Sequence, residues 1–113
     1  LVHTHVGDKR KFHLCVSVAG AFLLLNSFKG RDYAGSIVVD NAEFPFLRPT
    51  ATGKSVINCS MVLRLSKSEL RGIEVLGSAS RALMQRIFAE AEGSEVLTDE
   101  DRNDIIAGLG DWL

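Results

Sequence analysis

The feature that most constrains the fold is a change of hydrophobic period near Ser66. Before it, apolar residues recur at every second position; after it, at every third or fourth. A period of two suits a half-buried strand, whose side chains alternate between faces, and a period near 3.6 suits one face of a helix. The chain is therefore expected to be α+β, with strands first and helices last. At 113 residues it has the usual length of one domain. The expected organisation is a single domain over 1–113, with a β portion at 1–72 and a helical portion at 73–113.

In the first half, Val2, Thr4 and Val6 alternate with His3 and His5, and Gly7-Asp8-Lys9 reads as a turn. Phe12, Leu14, Val16 and Val18 then share one face of a strand, opposite Lys11, His13, Cys15 and Ser17. Ala19-Gly20 turns the chain into the apolar run Ala21 to Leu25, which suits a strand covered on both sides. Residues 11–27 thus read as a hairpin. A polar loop at 28–35 leads to a short strand, Ser36 to Val39. The prolines of Phe44-Pro45-Phe46-Leu47-Arg48-Pro49 exclude a central strand and predict an extended loop with its aromatics packed down. After a turn at Thr50 to Lys54, Ser55 to Leu65 reads as one long strand or two short ones.

Beyond the switch, Ser66 and Glu69 have the spacing of a capping box. Arg81 to Glu92 carries Leu83, Ile87 and Ala91 on one face and stops at Gly93. Thr98-Asp99-Glu100-Asp101 is a helix start with acids in the first turn, and Ile105, Ile106 and Leu109 form its apolar face.

Charge divides along the same line. Residues 1–72 hold ten Lys/Arg against five Asp/Glu, or +5; residues 73–113 hold three against nine, or −6. A basic front points to a polyanionic partner, and an acidic back that covers it is the competing explanation. Two cysteines, Cys15 and Cys59, are too few for a disulfide scaffold, so a cytoplasmic location is expected. The longest apolar run, Val18 to Leu25, is eight residues, and no contact with a membrane is expected.

Several clusters could carry chemistry. If the first two strands pair about Lys9, His3 meets Cys15 and His5 meets His13, a donor set for a transition metal. Strand-borne histidines more often occupy a solvent face, and no metal or other cofactor is expected. Lys9-Arg10-Lys11, beside His13, can neutralise phosphate or a pentacovalent transition state; a solvated hairpin tip is the bland alternative. Ser27 ends a strand just before Lys29 and Arg31, placing a hydroxyl near cations. Tyr33, Phe44 and Phe46 are candidates for base stacking, although Phe44 and Phe46 suit the core better. The sequence has no Walker loop, dinucleotide-binding glycine pattern or nucleophile elbow.

The order of these signals resembles the MazF/PemK family of bacterial toxins over residues 1 to 72. Lys9-Arg10-Lys11-Phe12-His13-Leu14-Cys15-Val16-Ser17 looks like the family's Arg-Pro followed by a hydrophobic run ending in serine. Leu23-Leu24-Leu25-Asn26-Ser27 looks like the strand that ends in a catalytic Thr/Ser hydroxyl. Ser55 to Ser66 looks like the strands that precede a short helix. The resemblance implies an SH3-like (CcdB/MazF-type) antiparallel β-barrel followed by C-terminal helices. It also implies a metal-independent endonuclease acting on single-stranded RNA, a homodimer, and a cognate antitoxin as partner. Lys11-Phe12 stands where the family has Arg-Pro, and lysine lacks the bidentate fork of arginine.

The expected catalytic residues are Lys11, Ser27 and Arg10, with His13 as general acid or base. Lys9, Lys29, Arg31, Tyr33 and Lys54 are the expected RNA contacts. Two other functions compete. One is a non-catalytic binding barrel for a nucleic-acid or protein partner. The other is a toxin that poisons a topoisomerase through the chain end Gly110-Asp111-Trp112-Leu113.

Overall fold

The computed structural model describes residues 2–6, 9–17, 19–31, 34–47, 50–71, 74–110 and 113, and only the backbone of residues 2–6, 9–11 and 74. Six strands form one antiparallel sheet: β1 (Val2–Val6), β2 (Lys9–Ser17), β3 (Ala21–Ser27), β4 (Ser36–Asp40), β5 (Lys54–Arg64) and β6 (Glu74–Val75). Their spatial order is β4-β5-β3-β2-β1-β6. Three helices follow or interrupt the late strands: α1 (Lys67–Leu70), α2 (Arg81–Glu92) and α3 (Asp99–Gly110). The architecture is α+β, an open sheet followed by C-terminal helices. No helix among the described residues is long and apolar enough to cross a membrane.

β1, β2 and β3 form a meander, each pairing antiparallel with the next in chain order. Gly20 holds φ at +100°, and a Cβ there would lie 2.7 Å from the Leu65 carbonyl oxygen. The β2–β3 turn therefore requires glycine. Its carbonyl accepts from the Leu65 N–H at 3.0 Å, tying the turn to the end of β5.

β5 is the long strand expected for 55–65. It pairs with β4 through Lys54 to Asn58 and with β3 along its length. The β3 register jumps between Phe22 and Leu24, so residues 59–62 bulge away from the ladder. Bulges bend and twist a strand, and a strand bent in this way can serve two parts of a sheet.

Leu14, Leu23, Leu25, Ile37, Ile57 and Cys59 point from the sheet into one core. Leu83, Ile87, Ile105 and Leu109 enter it from α2 and α3. α3 lies on β2, and α2 lies on α3 and β5. The run Ala21–Phe22–Leu23 is buried at every residue, as a strand covered on both faces requires. The expected capping box forms: the Ser66 hydroxyl accepts from the Glu69 N–H, and the Glu69 carboxylate accepts from the Ser66 N–H. The helix expected from Arg81 to Glu92 has those bounds, with Ser80 as its N-cap. The pairing of β6 with β1 was not expected, since two residues carry no period.

Candidate functional site

One end of the sheet carries a cavity of about 300 Å³. Phe12, Leu25, Phe44 and Leu47 supply its apolar wall. Asn26, Ser27, Asn41, Thr50 and Ser55 supply the polar remainder. Strand pairing explains the meeting: Ser27 is the last residue of β3, and its Cα partner on β5 is Ser55. Phe12 faces Leu25 across β2 and β3. The other wall is the segment after β4, which opens with the 3₁₀ turn Asn41–Glu43.

That segment is held from several sides. The Asn41 N–H donates to Gly53 O at 3.0 Å, and the Leu47 N–H donates to Phe44 O at 3.0 Å. The Thr50 hydroxyl lies 2.7 Å from Lys54 O and 3.2 Å from Asn41 Oδ1. The Ser80 hydroxyl donates to Glu43 Oε2 at 3.2 Å, so the N-cap of α2 also braces the wall. Phe46 packs directly on Gly77, with no room for a Cβ there. Phe44 and Phe46 meet edge to face at 6.2 Å and 71°. The aromatics are packed down as expected, and Phe44 lines the cavity even so.

Among the described residues, Ser27 is the expected catalytic residue that lines the cavity. Lys54 precedes Ser55, its carbonyl accepts from the Phe28 N–H at 3.1 Å, and it pairs with Asp40 on β4. Lys29 stands two residues after Ser27; Lys29, Arg31 and Lys54 are all exposed. Tyr33 lies outside the described residues, as do the side chains of Lys9, Arg10 and Lys11. The β2–β3 pairing ends at Phe12↔Leu25, and Lys9, Arg10 and Lys11 pair with β1 instead, at Val6, His5 and Thr4.

His13 lies elsewhere. It is 3% exposed, its Cα faces Leu24, and its ring meets Phe22 edge-on at 6.5 Å. As Phe12 lines the cavity, its strand neighbour His13 turns to the other face. The expected His3–Cys15 and His5–His13 pairing is also corrected. Val6 pairs with Lys9, so the hairpin closes earlier than a turn centred on Lys9. His3 consequently faces Phe12, His5 faces Arg10, and Val2 faces His13. The register differs by three residues, an odd number, which exchanges the faces of the sheet. Among the described residues no three His, Cys, Asp or Glu side chains gather as a cation site.

Comparison with protein-family models, with curated proteins and with solved structures finds no match.

Cys59 is not an activated nucleophile. Cys59 is 1% exposed, and burial, reinforced by the charge of Glu90, pushes its thiol up to about 12. The half-buried Cys15 thiol donates to Ser17 O at 3.4 Å. Asp111 and Trp112, on which the topoisomerase alternative rests, lie outside the described residues.

Sequence reasoning picked out Ser27 and missed Asn26, Asn41, Thr50 and Ser55 as partners. The signal for Ser55 was available: a serine near the start of one strand that pairs with a strand ending in one. Nothing local marks Asn41 or Thr50, because their proximity depends on how the 41–53 segment folds back.

Proposed function

We propose that this chain is a toxin-type barrel that binds single-stranded RNA at the Ser27 end of its sheet and cleaves it without a metal ion. The observation that carries the reading is the position of Ser27, on a part-aromatic cavity and beside the exposed Lys29 and Lys54. Arg10, or Lys11 beside it, neutralises the phosphate, and the Ser27 hydroxyl hydrogen-bonds a phosphate oxygen. Lys29, Arg31 and Lys54 hold the flanking strand. A β1–β2–β3 meander, with a bent β5 shared between β3 and β4, supports the SH3-like, MazF-type barrel. The same reading brings a homodimer and a cognate antitoxin as partners.

One observation favours a second reading, binding without cleavage. No ionisable side chain lines the cavity among the described residues, and His13 is buried away from it. A cleaving site needs a group that accepts and returns a proton.

A denaturing gel of long single-stranded RNA incubated with the protein, with and without EDTA, separates these readings. Discrete fragments that persist in EDTA, and that vanish with Ser27→Ala and with Arg10→Ala/Lys11→Ala, are the expected result. Intact RNA that nevertheless binds assigns the site to binding alone. Intact and unbound RNA refutes both.

A further inference from the structure

The cavity and its rim differ in chemistry. Inside, the described lining is uncharged: Phe12 and Phe44 offer apolar surface, and Asn26, Asn41 and Ser55 offer neutral polar edges. Ser55 is 6% exposed, and its hydroxyl makes no hydrogen bond to the described residues; the Asn26 carboxamide makes none either. Both groups line the cavity, so each is open to the hydrogen-bonding edge of a ligand held there. Outside, Lys54 adjoins Ser55 and Lys29 follows Ser27, both exposed. Asp40, across from Lys54, and Glu43, held by Ser80, are the acids of that rim.

A phosphate suits the exposed Lys29 and Lys54 of the rim and not the neutral interior. A flat, uncharged heterocycle with hydrogen-bonding edges suits the interior. We infer that the cavity holds a single unstacked nucleobase, packed against Phe12 and Phe44 with its edge toward Asn26 and Ser55. Its phosphate lies at Lys29 and Lys54. The inference rests on the RNA reading above and names what the inner part of that site takes. About 300 Å³ is the lower end of ligand cavities, so it accepts one base rather than a stacked pair.

The test uses the full chain and the tightest-binding RNA heptamer from a random pool, made as its 2′-O-methyl form to resist cleavage. Removing the base at each position in turn is expected to weaken binding about tenfold or more at one position, the usual effect of one base–aromatic contact. Ser55→Leu, which fills the cavity, is expected to cause a similar loss and to add nothing to the abasic loss at that position. Ser55→Ala, which removes only the hydroxyl, keeps the test valid should Ser55→Leu fail to fold, and is expected to weaken binding several-fold. RNA that binds with a flat abasic profile and is indifferent to both Ser55 variants overturns the base site and leaves the RNA reading standing. Should no heptamer bind, a titration with UMP, AMP, CMP and GMP followed by amide shifts decides. Shifts at Asn26 and Ser55 keep the base site while the RNA reading falls, and no shift overturns both.

Discussion

At the scale of the residue, burial decides reactivity. Cys59 sits in the core with its thiol raised from 9.0 to about 12. Unfolding restores the ordinary value, so between pH 9 and 12 the unfolded chain gives up a proton that the folded one keeps. The stability linked to this thiol is therefore complete below about pH 9 and declines as pH rises toward 12. Urea unfolding at pH 8 and pH 10.5 is expected to show a larger alkaline loss for the native chain than for Cys59→Ala. Equal losses would remove Cys59 from the explanation. Gly108 is a second case. A Cβ there would lie 2.1 Å from Val16 O and 2.7 Å from the Ser17 Cβ, so α3 crosses β2 at a position that only glycine permits. In an exposed helix Gly→Ala gains up to about 1 kcal/mol. Here Gly108→Ala is expected to lose about 1–3 kcal/mol, read from denaturant midpoints, because backbone has to shift.

At the scale of the element, β5 needs an acid from α3. Where residues 59–62 leave the β3 ladder, the Val62 N–H loses its strand partner. Asp101 Oδ2 accepts it instead at 3.2 Å. The same carboxylate lies 2.7 Å from Arg64 Nη2, and Asp104 joins Arg64 from the next turn. Asp101 is 8% exposed, whereas the Arg64 side chain is 43% exposed. The two partners are therefore unequal. Asp101→Ala strands a buried N–H and is expected to cost about 2–3 kcal/mol. Arg64→Ala removes a solvent-screened cation and is expected to cost clearly less. Thermal unfolding of both variants checks the order, and an equal loss would mean that the ion pair rather than the Val62 contact matters.

At the scale of the whole molecule, the acidic back is a layer of the core. Leu83, Ile87, Ile105 and Leu109 are at most 3% exposed. Burial of four such side chains contributes roughly 6–12 kcal/mol, comparable to the net stability of a domain. The charge division along the sequence suggested a tail lying over a basic front. Among the described residues the tail's carboxylates form ion pairs with the front at Arg64, far along β5 from the Ser27 end. A chain ending at Leu76 is accordingly expected to lack a cooperative melt and to bind a hydrophobic dye, rather than to gain activity. A sharp melt from residues 1–76 would show that the sheet stands alone.

Local rules carried much of this structure. Period, turn glycines and caps placed β2, β3, α2 and α3 in the sequence, because strand alternation, a helix face and a hydroxyl cap are satisfied within a few residues. Ser27 could be singled out for a similar reason, as a strand-ending hydroxyl before two cations. The pairing of β1 with β2 could not be read, since a register that differs by three residues obeys the same alternation and is chosen by where the hairpin closes. The cavity was equally hidden. Asn41 and Thr50 reach Ser27 only because the chain after β4 returns to the end of β3, and Ser80 and Gly77 brace that wall from the far side of the chain. The sequence determined which residues become strands and helices; only tertiary packing decided which of their ends share a site, because that depends on contacts between residues distant along the chain.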